Sequence, residues 1–217
     1  YEFDRMVKRI NRHLNQRTEM LSGISHDLRT PLTRLKLQLA MLEQKEISKK
    51  MSMDIDEMEN MLNNYLQFAK SQVQEESTAI NIKEFFEEIR KSKNNKNLHL
   101  KIDSLDEIVL VARRTALMRC FSNIIENALN YGKNAYVQIL KSKNNLVVTV
   151  DDDGPGIPVN QYKNVFKPFY RLDKGRNLNH SGVGLGLSIA EDIVRSHGGN
   201  IQLGDSKYKG LQVKILL

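Results

Sequence analysis

Residues 25–32 read SHDLRTPL, which sets a histidine and a proline five positions apart inside what otherwise reads as one long amphipathic helix. The apolar positions on either side settle that reading. They run Ile10, Leu14, Leu21, Ile24, Leu28, Leu35, Leu39 and Leu42, with Arg17 as one interruption. Gaps of three, four or seven mark the seam of a coiled coil or helical bundle. EQKEISKK (Glu43 to Lys50) is a polar break, after which Met51, Ile55, Met58, Leu62, Tyr65 and Ala69 repeat the spacing. Two helices joined by a short loop predict an antiparallel hairpin. A hairpin buries one face of each helix, too little to stand alone, so a second copy completing a dimeric four-helix bundle is expected.

On this seam His26 takes position f, which points into solvent. Asp27 takes g, near the edge, and Thr30 lies one turn beyond His26 on the outward face. An exposed imidazole, largely neutral at pH 7, is a competent nucleophile. Asp27 is placed to orient the ring or take its proton. Pro31 has no N–H, so the Asp27 carbonyl loses its helical partner and a bend is expected within a turn of the histidine. The plainer reading, a surface histidine and a tolerated proline, is kept for His13, His99, His180 and His197, which lack a comparable neighbourhood.

The 217 residues fit one large domain or two small ones, and 40% hydrophobic with 27% charged residues is ordinary for a globular chain. No apolar run reaches the roughly 18 residues that span a bilayer. No signal peptide is recognised, and the chain opens without Met, already in helical register, so a fragment of something longer is expected. The one cysteine, Cys120, excludes internal disulfides and cysteine metal clusters and fits a reduced compartment. Residues 1–76 hold 12 Lys+Arg and 12 Asp+Glu; of totals of 33 and 26, this leaves 21 and 14, so the net +7 lies in residues 77–217. A basic second half fits an anionic ligand or, more simply, solubility.

The polar stretch 71–81 reads as a linker. Beyond it, IKEFFEEIRKS reads as a helix, LHLKI and EIVLVA as strands, and ARRTALMRCFSNIIENALNYG as a long helix stopped by Gly132. AYVQILKS and NLVVTVDD form a hairpin, LSIAEDIVRSHGG a helix, and NIQLGD and LQVKILL the last strands. This is an α+β sandwich.

DDDGPGI (151–157) follows a hydrophobic strand. A carboxylate there, Asp152, can accept from an exocyclic amine such as that of adenine, while Gly154 and Gly156 let backbone approach a flat ring. An ordinary Asp/Gly/Pro turn is the alternative. GVGLGL (182–187) directly precedes a helix, where Gly182, Gly184 and Gly186 would expose amides to phosphate, or simply cap a flexible loop. Its spacing is not the dinucleotide fingerprint, and no P-loop is present. In NIIENALNYG (123–132), Asn123 and Asn127 share a helix face with Tyr131. Amide oxygens can hold Mg²⁺ and a tyrosine can pack on a base, although two asparagines on a helix are also plain polar surface. RLDKGRNLNHS (171–181) reads as a mobile loop whose Lys174 and Arg176 could reach phosphates.

In their order these stretches resemble the cytoplasmic core of bacterial sensor histidine kinases. SHDLRTPL resembles the H-box, NIIENALNYG the N-box, DDDGPGI the G1 box, VFKPFYR (165–171) the F-box and GVGLGL the G2 box; FDRMVKRINRHLNQR resembles the end of a HAMP linker. SHDLRTPLTRL is most similar to EnvZ-type osmosensors. The resemblance implies residues 1–15 as the end of a HAMP linker, 16–74 as a HisKA dimerisation and phosphotransfer hairpin, 75–81 as linker, and 82–217 as a HATPase_c domain of the Bergerat type, shared with gyrase-like ATPases. It implies an ATP:protein-histidine phosphotransferase with His26 as phosphoacceptor, Asp27 assisting proton removal and Thr30 positioning water for dephosphorylation of a partner response regulator. Asn127 with Asn123 would hold Mg²⁺, and Asp152 would read adenine. Tyr131, Gly154, Gly156, Ile157, Phe166, Arg171, Lys174, Arg176, Gly182, Val183, Gly184, Leu185 and Gly186 would line the ATP site. Asn130 stands where the family often has Lys or Arg, and Val183 where Thr is frequent. The implied partners are a second copy and an OmpR-like receiver domain, not nucleic acid. The implied place is the cytoplasmic domain of an inner-membrane protein, anchored by segments outside this sequence. Gyrase-like ATPases carry a water-activating glutamate where Asn123 stands, and Glu126 lies on another face. The remaining alternatives are a hydrolytic ATPase and an inactive dimeric scaffold.

Overall fold

The computed structural model describes residues 2–41, 45–70, 75–93, 96–103, 108–142, 145–172 and 184–217. The chain divides into two compact units, Tyr1–Gln74 and Glu75–Leu217.

The first unit is a helical hairpin of α1 (Glu2–Ala40) and α2 (Lys45–Lys70). Its antiparallel sense is set by paired contacts. Ser48 Oγ donates to the Leu39 carbonyl (2.5 Å), and Lys36 Nζ lies 2.6 Å from both Asp56 and Glu59. These carboxylates raise the Lys36 pKa. Two expectations change here. Lys45–Lys50 is helical rather than a break, because lysine, glutamate and serine extend a helix at small cost when their faces are wet. The buried centre of the hairpin is Leu32, Leu39 and Ile55, and Leu32 is absent from the seam read above. Seam residues Ile24, Leu28 and Leu35 stay 44–47% exposed. They lie within roughly 80° of Leu32 around the helix, so one apolar stripe is split between an internal partner and an open flank. α1 continues through Pro31 as one element, and Thr33 Oγ1 donates to the Arg29 carbonyl at 3.0 Å.

The second unit layers helices on a mixed sheet. Its elements are β1 (Thr78–Asn81), α3 (Ile82–Lys93), β2 (Leu98–Asp103), β3 (Val109–Ala112), α4 (Arg114–Tyr131), β4 (Ala135–Ser142), β5 (Asn145–Asp152), α5 (Gly186–Ser196), β6 (Asn200–Asp205) and β7 (Leu211–Leu216), with a 3₁₀ turn at Val159–Gln161. The large sheet has the order β2-β4-β5-β7-β6, parallel at β2–β4 and antiparallel elsewhere; β1 and β3 form a small antiparallel pair. Alternation along β5 sends Leu146, Val148, Val150 and Asp152 to the helix-covered face. Phe85, Phe86 and Phe121 meet edge-on there, with centroids 4.8–6.1 Å apart. Cys120 is wholly buried, donates to the Ala190 carbonyl (3.8 Å), and has its pKa pushed up by burial to about 12, so it is an inert thiol.

The linker reading is corrected by β1 and by Glu75. Thr78–Asn81 pairs with β3, and the Glu75 carboxylate accepts from the Thr115 and Ala116 amides (2.6 and 3.1 Å), closing the first turn of α4 from forty residues away. Those amides lower the Glu75 pKa against the opposing effect of burial, the largest contribution. His197, read as an ordinary surface residue, instead bridges two helix ends. Its Nε2 accepts from the Arg113 amide (3.1 Å) and its Nδ1 lies 2.7 Å from the Ile193 carbonyl.

Candidate nucleotide site

The end of β5, the C-terminal half of α4 and the start of α5 build the site. The triple aspartate separates into three different tasks. Strand parity turns Asp151 to the outer face, where Gln212 Nε2 donates to it (3.0 Å). Asp153 closes the turn after α4: its Oδ1 accepts from the Lys133 and Asn134 amides (2.7 and 2.8 Å) and its Oδ2 from Asn134 Nδ2 (2.8 Å). The Asn134 donors lead in holding its carboxyl below the usual range. Asp152 is 6% exposed. Both of its hydrogen bonds land on Oδ1, from the Gly154 amide (2.9 Å) and the Leu211 amide (3.0 Å). Burial raises its pKa, with the two amides opposing and the Asp153 and Asp151 charges adding. The arrangement clamps one carboxylate oxygen and leaves the direction of the other defined.

Gly210 makes this clamp possible. A Cβ there would overlap Asp152 Oδ1, so only glycine brings the start of β7 this close. A Cβ on Gly154 would lie 2.7 Å from the Tyr131 carbonyl, which places the turn against the end of α4. Gly156 and Ile157 are half-buried beyond it, and Tyr131 is exposed.

One and two turns back along α4, Asn127 and Asn123 meet the start of α5. A Cβ on Gly186 would lie 3.3 and 3.6 Å from the Asn127 amide atoms and 3.7 Å from Asn123 Cβ. Asn123 Nδ2 is buried without a hydrogen-bond partner among the described residues. Among the described residues α5 has no side-chain cap and no acid in its first turn, so its positive end faces the site with no carboxylate of its own. Gly184 (φ +76°) accepts from the Phe169 amide at 2.9 Å, and a Cβ there would press on the Tyr170 carbonyl. This joins the VFKPFYR segment to the glycine loop, and Tyr170 Oη, donating to Gln161 Oε1 (2.6 Å), ties it to the 3₁₀ turn. Val165 and Leu185 are buried; Phe166 and Arg171 are half-buried. Lys174, Arg176, Gly182 and Val183 lie outside the described residues.

Residues 16–74 match the family described as "His Kinase A (phospho-acceptor) domain", and residues 112–217 match "Histidine kinase-, DNA gyrase B-, and HSP90-like ATPase". The chain belongs to the histidine kinases. It is 35% identical to the sensor histidine kinase GtrS of Pseudomonas aeruginosa and 32% identical to the sensor histidine kinase CpxA of Escherichia coli, each match taking in 99% of this chain and 45% and 50% of the relative. The chain spans about half the length of the curated relatives it matches. Full-length ShkA in complex with AMPPNP aligns over 91% of this chain and 45% of its own, with a TM-score of 0.70 and 19% identity, a likeness of fold. The catalytic domain of the histidine kinase ThkA aligns over 65% of this chain and 97% of its own, with a TM-score of 0.54 and 26% identity.

In this histidine kinase core the N-, G1-, F- and G2-box residues described all belong to the second unit, with His26, Asp27 and Thr30 in α1 of the first. Asp27 and Thr30 are exposed; the His26 side chain is not among those described. Gly210 and the Leu211 amide escaped the sequence reading. A glycine before a terminal strand reads as any turn glycine, and the partner of the Leu211 amide is 59 residues away.

Among the described residues no group of three His, Cys, Asp or Glu side chains is placed to hold a metal. The unpartnered atom at Asn123 is the Nδ2 donor, which suits a phosphate or water oxygen rather than a cation; a cation would be held through the amide oxygens of Asn123 and Asn127, with water and phosphate completing its shell.

Proposed function

We propose that this kinase core transfers the γ-phosphoryl group of ATP to His26 and passes it to an aspartate on a response-regulator receiver domain. The observation that carries the reading is the track along α4. Asp152 and Gly154 stand at its Tyr131 end, while Asn127 and Asn123, which meet the open start of α5, stand about one and two turns back, roughly 6 and 12 Å. One end offers a carboxylate to an adenine amine and the other offers amides and a helix N-terminus to phosphates.

In this reading Asp152 Oδ2 accepts from the adenine amine, Tyr131 and Ile157 flank the base, and Gly154 and Gly156 admit it. Asn127 with Asn123 holds Mg²⁺ through amide oxygen. Bound Mg²⁺ neutralises phosphate charge. Gly182, Gly184 and Gly186, with Val183 and Leu185, shape the phosphate end. Phe166 and Arg171 back it, and Lys174 or Arg176 supplies the cation that Asn130 does not. The imidazole of His26 attacks the γ-phosphorus: a P–N bond forms, the P–O bond to ADP breaks, and the ring proton passes to Asp27. Thr30 orients the water that removes phosphate from the regulator. The exposed flank of Ile24, Leu28 and Leu35, with Met51 and Met58 of α2, packs against a second copy. The regulator is of the OmpR type, residues 1–15 continue a HAMP linker, and the core works on the cytoplasmic side of an inner membrane.

Incubation with Mg²⁺ and γ-labelled ATP, followed by peptide mapping, tests the reading. Acid-labile label on the peptide holding His26 is expected; steady phosphate release without labelled protein is the ATPase result and overturns it. Thr30→Ala is expected to label at a rate within about twofold of wild type, while regulator dephosphorylation falls at least roughly tenfold. Unimpaired dephosphorylation would remove Thr30 from that role.

A further inference from the structure

A stack of three rings lies on the sheet face opposite the helices. Val137 and Ile139 of β4 point inward and are buried, so Tyr136 points outward. His99 of β2 is its register partner, with rings stacked at 4.8 Å and 16°. Tyr208, from the turn between β6 and β7, stacks on Tyr136 at 3.8 Å and 18°.

That turn ends at the site. The β6–β7 ladder closes with the pair Asp205 and Leu211, so strand pairing does not extend into residues 206–210. Within the turn the Ser206 amide donates to the Gly210 carbonyl (2.9 Å), the Lys209 amide to the Ser206 carbonyl (3.0 Å) and the Tyr208 amide to Ser206 Oγ (3.1 Å). Lys209 is held at φ +78°, a left-handed conformation that a lysine adopts only when its surroundings require it. The next two residues are Gly210, seated against the Asp152 carboxylate, and Leu211, whose amide donates to Asp152 Oδ1.

From this geometry we infer that Tyr208 and Tyr136 are positioning residues for base recognition: their stack pins the strained turn whose far end orients the Asp152 carboxylate. The inference rests on the reading that Asp152 receives the adenine amine. A face-stacked pair adds a directional constraint that buried area alone does not. The stack lies on the sheet face opposite Asp152, so its effect passes through the backbone of residues 209–211.

The test is a comparison of two nucleotides on the full 217-residue chain by calorimetry. ADP carries the amine, and inosine diphosphate carries an oxygen in its place. Wild type is expected to bind ADP at least about tenfold more tightly, because the oxygen faces a buried carboxylate. Tyr208→Ala and Tyr136→Leu are each expected to bring the ratio to within about threefold of one, mainly by weakening ADP, and Tyr208→Phe to keep the wild-type ratio. A purely structural role weakens both nucleotides together. An unchanged ratio in Tyr208→Ala and Tyr136→Leu, with wild type discriminating, therefore overturns the inference and leaves the adenine site standing. A wild-type ratio near one overturns the adenine reading and this inference with it.

Discussion

His26→Gln is expected to abolish acid-labile phosphate on the protein, lowering the rate at least ~10³-fold as loss of a nucleophile does. ATP affinity should stay within about twofold of wild type. Glutamine keeps a polar side chain of moderate helix propensity at this position of α1, so the hairpin is preserved. The residues assigned to nucleotide binding all belong to the other unit, Glu75–Leu217. Binding and chemistry therefore separate cleanly in one variant. Label retained at wild-type level would move the phosphoacceptor elsewhere. Loss of both label and affinity would show that the substitution acts on the nucleotide unit, contrary to the division described here.

Asp152→Asn should weaken nucleotide binding by about 2–3 kcal/mol, roughly 30- to 150-fold, without lowering the melting temperature. The reason is which oxygen is already engaged. The Gly154 and Leu211 amides both donate to Oδ1, so an asparagine places its oxygen there and turns its NH₂ toward the ligand. Two donors, the side-chain amide and the adenine amine, then face each other. Stability moves the other way. Burial raises the Asp152 pKa, so the native state holds this proton more tightly than the unfolded chain does. The carboxylate's penalty is absent below the ordinary carboxylate range and grows as pH rises through the raised pKa. A neutral amide removes that penalty, and thermal unfolding at pH 7 should show an equal or higher midpoint. Calorimetric affinity for ADP equal to wild type would remove Asp152 from base recognition.

The helices and the β4–β5 hairpin were legible because their signal is local. A seven-residue apolar repeat and a two-residue alternation are visible within one window. Leu32 was not legible as core. A stripe wide enough to serve two partners does not say which flank meets the helix of the same chain. β1 was hidden because Thr78–Asn81 is short and polar at both ends, and its strand character comes from pairing with Val109–Ala112. Glu75 looked like linker charge because a helix cap forty residues away leaves no trace in spacing.

The periodicities, and the order of five short motifs along the chain, were enough to specify a helical hairpin, a following α+β unit and the family to which they belong. The hairpin and the α+β unit follow from the chain's own geometry, since side chains three, four or two positions apart share a face whatever surrounds them. Contacts across long separations supplied what spacing did not: the Leu211 amide that joins Gly154 in holding the Asp152 carboxylate, the glycine that must lie against it, and the carboxylate that closes α4. Those contacts depend on burial and on backbone amides brought near by folding, and burial and amide position belong to no single residue until the sheet and helices have met.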